Sequence, residues 1–289
     1  MVERKRHSGK LKPMKIVFLT GNLVQMGTTT FRFLEQRRND DVEFIVGDFI
    51  LPKKTTGQSI KIIIEKAGYR YFLFKVFETV LYEILSKINK FITWNPAFVT
   101  VKECAAKYNL PCFTTKNFNS PETVNLIRKL QPDLIISIAP QILKSEVIRI
   151  PRLGIINLHP ALLPEYRGLG PYFWPLYNNE KKAGATVHFI DEGIDTGPIL
   201  NKTEFPILES DTPHTLYWKI SVVGADLLLK TVKEIEENRV HPVKQDEGKK
   251  YSWPSPADIS RYVSRKKRLM DLRGVIETLK KDCFKGELL

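Results

Sequence analysis

The stretch Leu153-Gly-Ile-Ile-Asn-Leu-His-Pro-Ala-Leu-Leu-Pro-Glu-Tyr-Arg-Gly168 sets an asparagine and a histidine two residues apart inside an apolar run. Side chains of an extended strand alternate between faces, so Asn157 and His159 point the same way. Pro160 and Pro164 stop the strand there and leave both side chains near its C-terminal end, where open α/β sheets bind ligands. A carboxamide beside an imidazole can donate two hydrogen bonds to one developing oxyanion. Taken alone, the pair also fits a satisfied core histidine. A second stretch, Gly184-Ala-Thr-Val-His-Phe-Ile-Asp-Glu-Gly-Ile-Asp-Thr-Gly-Pro-Ile199, reads as a strand over Thr186 to Ile190 followed by a turn holding Asp191, Glu192 and Asp195. Acids in a turn are commonly solvated or form an Asx-turn. A carboxylate brought back over the sheet would instead orient a histidine and hold it protonated. His188 is internal to the strand and reads as structural.

These groups need a sheet to position them. Met14-Lys-Ile-Val-Phe-Leu-Thr20 and Val42-Glu-Phe-Ile-Val46 are β-branched and aromatic runs flanking a helical segment from Phe31 to Arg37. The rhythm returns with a helix from Lys102 to Tyr108, a short strand at Pro111-Cys-Phe-Thr114, a helix capped by Ser120-Pro-Glu, and the strand Leu134-Ile-Ile-Ser-Ile138. Apolar strands alternating with helices predict an α/β fold, a mostly parallel sheet covered by helices on both faces. The expected organisation is a basic tail over 1–13, a main domain over 14–210 with a helical insertion at 50–100, and a small helical extension over 211–289. In the insertion, Lys75, Glu78, Thr79, Glu83, Ser86, Lys87 and Lys90 mark one face of a helix from Arg70 to Ile92. Leu73, Val76, Phe77, Val80, Leu81, Ile84, Leu85 and Ile88 fill the other. The apolar face is expected to pack on its own core, with a dimer seam or a lid as alternatives. The polar face mixes both signs, which argues against membrane-surface binding.

Composition sets outer limits. The chain has 289 residues, 43% hydrophobic, with 45 Lys+Arg against 32 Asp+Glu. That excludes a disordered chain. Three cysteines without a CxxC exclude a disulfide framework and a zinc ribbon. No run of 18 apolar residues and no secretory h-region appear, so a cytoplasmic protein is expected. Of the +13 formal charge, residues 1–14 carry +4 and residues 261–289 carry +5. Solvated tails and a nucleic-acid surface both fit such ends.

Three motifs together, Asn157-Leu-His159, Leu162-Leu-Pro-Glu-Tyr-Arg-Gly168 and Asp195-Thr-Gly-Pro-Ile199, resemble the folate-dependent formyltransferases. The glycinamide ribonucleotide, methionyl-tRNA and sugar N-formyltransferases belong to that family. The resemblance covers about Met14 to Pro206, interrupted by residues 50–100. It implies a Rossmann-like sheet and a one-carbon transferase that takes its formyl group from 10-formyltetrahydrofolate, without a metal. It implies that Asn157 and His159 stabilise the tetrahedral oxyanion, while Asp195 holds His159 and assists proton transfer. The loop Pro140, Gln141, Ile142 and Leu143, with Ile148 as a further apolar wall, would line the pterin. Ile190, Asp191 and Glu192 would close its other side, and Tyr166, Arg167 and Gly168 would lie beside the acceptor.

The acceptor is an amine whose identity the motifs leave open. Gly21-Asn-Leu-Val-Gln-Met-Gly-Thr-Thr-Thr30 departs from the phosphate loop of the glycinamide ribonucleotide enzymes, although Gly21, Asn22, Gly27 and Thr28 could still cradle a phosphate. A methionyl-tRNA enzyme would carry a C-terminal barrel, for which the 94 residues after Asp195 are too few; Lys53 to Lys61 does lie where its basic loop would. Tyr251-Ser-Trp-Pro-Ser-Pro256 suits a sugar-enzyme addition, or equally a docking strap. The expectation is a small-molecule amine, on a nucleotide-linked or phosphorylated sugar, with tRNA as the alternative partner and a possible homodimer through the Arg70–Ile92 helix. A formyltetrahydrofolate deformylase, suggested by Gly170-Pro-Tyr172 and Gly184-Ala-Thr186, and a non-catalytic folate binder are the readings from other classes.

Overall fold

A computed structural model describes residues 14–37, 41–47, 56–92, 99–139, 141–271 and 274. Residues 1–13 and Pro140 lie outside these, as do residues 272–273 and 275–289 of the expected C-terminal extension. The first strand, β1 (Lys15–Thr20), leads into α1 (Val24–Gln36), so the helix expected from Phe31 already begins at Val24. β2 (Asp41–Gly47), the long α2 (Thr56–Ile92) and α3 (Val101–Lys107) follow, then β3 (Cys112–Thr115), α4 (Pro121–Leu130) and β4 (Leu134–Ile138). After the one-turn α5 (Ser145–Ile148) comes β5 (Ile155–His159), the strand carrying the Asn-x-His pair. Beyond it lie β6 (Arg167–Gly168), α6 (Trp174–Tyr177), β7 (Lys182–Phe189), β8 (Ile199–Pro206), α7 (Pro213–Glu236), β9 (Lys250–Tyr251) and α8 (Pro256–Ser264).

Seven strands form one sheet in the order β3-β2-β1-β4-β5-β7-β8. The first five are mutually parallel, and β7 and β8 extend the sheet antiparallel. Chain order reverses direction between β1 and β4, which makes their C-terminal ends the switch point of the sheet. The period-2 pattern of β1 places Ile16 and Phe18 in one core and Val17 and Leu19 in the other. On the first face pack Phe31, Phe33 and Leu34 of α1 and Leu216, Leu228 and Val232 of α7. On the second pack Val124 and Ile127 of α4 and Val147 of α5. Thus α7, expected within the C-terminal extension, closes the main core.

Most of the helix face expected to pack inward is exposed in the insertion, while Thr79, Glu83 and Lys87 of the expected polar face are exposed as well. α2 breaks at Gly68 (φ 79°), and beyond the break Tyr71, Phe74, Glu78, Tyr82 and Ser86 are buried. Leu73, Val76, Phe77, Val80, Ile84 and Ile88 are exposed, Phe77 at 57%. Burying charge here is tolerable because each group finds a partner. Lys75 pairs with Glu78, Glu78 Oε1 accepts from His214 Nδ1 at 3.0 Å, and Tyr82 Oη lies 3.0 Å from His214 Nε2. Burial opposes ionisation of Glu78, but the Lys75 charge and the His214 hydrogen bond outweigh it and hold its carboxyl down at about 2. Polar residues at the start of α7 therefore select the face that sequence periodicity alone cannot orient.

Candidate active site

β5 ends at His159, and Asn157 pairs across the sheet with Ser137 of β4 and His188 of β7. Ile156 and Leu158 enter the core under α7, which turns Asn157 and His159 to the opposite face. His159 is 3% exposed and His188 2%. The turn after β7 carries Asp195 back over them. Its Oδ2 lies 3.6 Å from His159 Nδ1 and its Oδ1 3.7 Å from His188 Nε2. Asp195 adopts a left-handed φ of 53°, which a short acidic side chain tolerates better than most residues. The trio that the motifs nominate is therefore one cluster.

Hydrogen bonds fix how each member presents itself. His159 donates through Nε2 to the Tyr166 carbonyl at 2.7 Å, leaving Nδ1 as the nitrogen that faces Asp195. His188 Nδ1 donates to the Phe189 carbonyl at 2.8 Å, so in the neutral ring Nε2 is the acceptor. Burial, reinforced by the neighbouring His159, pushes His188 down to about 4 and keeps that ring neutral near pH 7. Asn157 Nδ2 then donates to His188 Nε2 at 3.1 Å, which leaves the second N–H of its carboxamide for a ligand. His188, read from sequence as structural, is thus part of the cluster. Its signal was its register: on an antiparallel neighbour it stands directly opposite Asn157.

The described residues of the expected cofactor wall lie on the face of the sheet covered by α4 and α5 and in the turn after β7. Leu143 is buried with Val124, Ile127 and Val147, and Ile148 and Ile190 pack on the same cluster. Ile142 is 65% exposed, and its carbonyl accepts from Asn119 Nδ2 at 2.9 Å. Gln141 is turned inward, accepting from the Phe118 N–H and donating to the Lys116 carbonyl. Asp191 accepts from Gly193 N–H and Thr196 Oγ1, an Asx-turn that shapes the loop. Ser145 Oγ donates to Glu192, joining the start of α5 to this turn across the strand ends.

The expected acceptor residues divide into two groups. Tyr166 supplies its carbonyl to His159, and Gly168 N–H donates to Asp195 Oδ2 at 2.7 Å. The side chains of Tyr166 and Arg167 point elsewhere: Tyr166 Oη donates to Glu180, and Arg167 reaches Gln245 and the Asp246 carbonyl. Gly168, at φ 96°, would place a Cβ 2.2 Å from the Tyr251 carbonyl, so only glycine fits that approach. The other four lie at the end of β1 and in the first turns of α1. Gly21 is buried, Asn22 Oδ1 accepts from Lys102 N–H, and Thr28 Oγ1 donates to the Val24 carbonyl. A Cβ at Gly27 would meet the Val99 carbonyl at 1.8 Å. The structure does not bring Gly27 or Thr28 to the cluster.

The segment after α7 lies against the site as a strap. Tyr251 stacks on Tyr166 with ring centroids 5.3 Å apart and packs tilted against Trp174 at 4.7 Å. Trp174 Nε1 donates to the Leu169 and Ser252 carbonyls. Among the described residues no helix is long and apolar enough to cross a membrane.

An Asn/His/Asp cluster at the end of a parallel strand, beside the switch point of an open sheet, has the groups that can hold an oxyanion and move a proton. The formyl transferase family model matches residues 88–232, half of the chain, and the chain belongs to that family. It is 33% identical over 186 residues to the methionyl-tRNA formyltransferase of Trichodesmium erythraeum, covering 64% of this chain and 55% of that protein. The chain spans about half the length of the curated relatives it matches. Among solved structures, it resembles phosphoribosylglycinamide formyltransferase from Anaplasma phagocytophilum, with TM-score 0.55, 19% identity, and coverage of 83% of this chain and 100% of that one. The N-formyltransferase from Helicobacter canadensis, in complex with folinic acid and dTDP-3-aminofucose, gives 0.53 at 19% identity, covering 82% and 71%. At that identity the two structures speak for the fold.

Proposed function

We propose that this chain transfers a formyl group from 10-formyltetrahydrofolate to a primary amine, and the observation that carries the reading is the meeting of Asn157, His159 and Asp195 at the end of β5. The amine nitrogen attacks the formyl carbon, and the carbonyl electrons move onto oxygen. The free N–H of Asn157 donates to that oxyanion, and His159, its Nε2–H held by the Tyr166 carbonyl, joins through Nδ1 once that nitrogen carries a proton; each such donor is worth about 100- to 1,000-fold in rate. Collapse breaks the bond from carbon to the folate N10. The proton lost by the amine passes to N10 through Asp195. The apolar wall of Leu143, Ile148 and Ile190, bordered by backbone polar groups, suits a flat pterin.

The acceptor we favour is a small molecule, an amine on a nucleotide-linked or phosphorylated sugar. The structural likeness to the Helicobacter canadensis enzyme, whose complex holds a nucleotide amino-sugar, supports this. A second reading, methionyl-tRNA, draws on the 33% identity with the Trichodesmium erythraeum protein. The cytoplasm is the compartment this reading implies. The exposed apolar stripe of α2 supports a homodimer joined along that helix. The test follows conversion of 10-formyltetrahydrofolate to tetrahydrofolate, with His159→Ala as blank. Amine-dependent turnover with an RNA-free pool of nucleotide amino-sugars is expected. Turnover only with charged tRNA would establish the second reading, and formate release without any amine would replace both with a hydrolase.

A further inference from the structure

We propose that Gln245 is a positioning residue for formyl transfer, its carboxamide holding the Asp195 turn against the Arg167–Gly168 strand so that the carboxylate faces His159. Its Nε2 donates to the carbonyls of Asp195 at 3.0 Å and Gly197 at 2.6 Å. Its Oε1 accepts from Arg167 Nη2 at 2.9 Å and Nε at 3.2 Å. Two carbonyls on one side and a guanidinium on the other fix which end of the amide is which. Only a carboxamide satisfies both sets; a carboxylate would repel the carbonyls, and an alkyl chain would leave all of them unpaired.

The clamp closes a ring of contacts around Asp195. Gln245 takes its carbonyl, Gly168 N–H takes Oδ2, and Arg167, adjacent to Gly168, returns to Gln245. The strap that carries Gln245 is anchored on both sides of it. Val243 exchanges both backbone hydrogen bonds with Ile199 of β8, and β9 pairs with β6. Val243, Gln245 and β9 all lie beyond residue 232, where the family match ends. The C-terminal segment therefore completes the site rather than only following it.

The inference rests on the role given to Asp195 under the proposed function, and its test separates the two. Gln245→Leu and the near-isosteric Gln245→Glu are compared with the wild type for kcat, KM and backbone amide exchange. Expected are a kcat 10- to 100-fold lower, KM values within about threefold, and faster exchange at Gly168 N–H, whose acceptor is Asp195 Oδ2. Leu169 N–H, bonded to the Tyr251 carbonyl, reports on the strap itself and is expected to stay protected. An unchanged kcat in either folded variant overturns the proposal. Equal loss of protection at Gly168 and Leu169 also overturns it, since Gln245 would then be a staple for the strap. A wild type without turnover on any amine or charged tRNA defeats the functional reading, and the Gly168 exchange still decides the role of Gln245.

Discussion

His188 shows how one hydrogen bond sets the direction of another. Because its Nδ1–H is committed to the Phe189 carbonyl, Nε2 must accept from Asn157, and the free Asn157 N–H is aimed by that bond. Its low affinity for protons, about 4, arises from burial first and His159 second. The sign follows directly: above pH 5 the ring is neutral and accepts, and as pH falls through 4 the protonated Nε2 turns donor and releases the carboxamide. His188→Phe keeps an aromatic ring but removes the acceptor, and is expected to lower kcat about 10-fold, the worth of one hydrogen bond of roughly 1.4 kcal/mol. Nitrogen NMR of the wild type should show the Nδ1–H tautomer from pH 5 to 8. A charged ring at pH 7 would contradict this account of the donor.

At the scale of elements, α2 is the instructive case. Its 3.6-residue pattern was legible, yet periodicity states that a helix has two faces, not which of them turns inward. The decision lies with His214, more than a hundred residues away, whose ring bonds Glu78 and Tyr82. The Glu78 carboxyl, held at about 2 against an ordinary 4.5, contributes stability that is complete above pH 4.5 and lost as pH falls through 2. Roughly 3 kcal/mol of unfolding free energy is expected to disappear across that window. In Glu78→Gln, denaturant titrations from pH 5 to 2 should show a correspondingly shallower decline; identical slopes would mean the carboxyl is not ionised in the fold. The strands, by contrast, were legible from composition, because β1 and β4 are buried on both faces and read as near-continuous apolar runs. The pairing of Asn157 with His159 was legible because they share one strand, whereas the choice of Asp195 among the acids of the turn came only with the family resemblance. Gln245 was not, since nothing local in Val243-Lys-Gln-Asp-Glu shows that a carboxamide there will meet two carbonyls and a guanidinium from the site.

On the scale of the molecule, two faces of the sheet do different work. Helices α1, α2 and α7 build the larger core, and α4 and α5 cover the face toward which Asn157 and His159 project. The strap between α7 and α8 ties β6 and β8 together over the strand ends. The outer side of α2 remains apolar for about 28 Å along the helix, from Tyr69 to Ile88, longer than isolated surface hydrophobes account for. Self-association along this stripe is expected in light scattering at micromolar concentration, and Phe77→Glu with Val80→Glu should yield a monomer. An identical mass for both proteins across a concentration series would remove the stripe from any dimer seam.

The central claim is that Asn157 and His159 form one oxyanion site served by Asp195. Its most direct test is amine-dependent formyl transfer by Asn157→Ala and His159→Ala, measured beside the affinity of each variant for 5-formyltetrahydrofolate. The account predicts a loss of about 100- to 1,000-fold in kcat for each variant, with folate affinity retained within a few fold. Near-normal turnover in both variants, with folding intact, would contradict it.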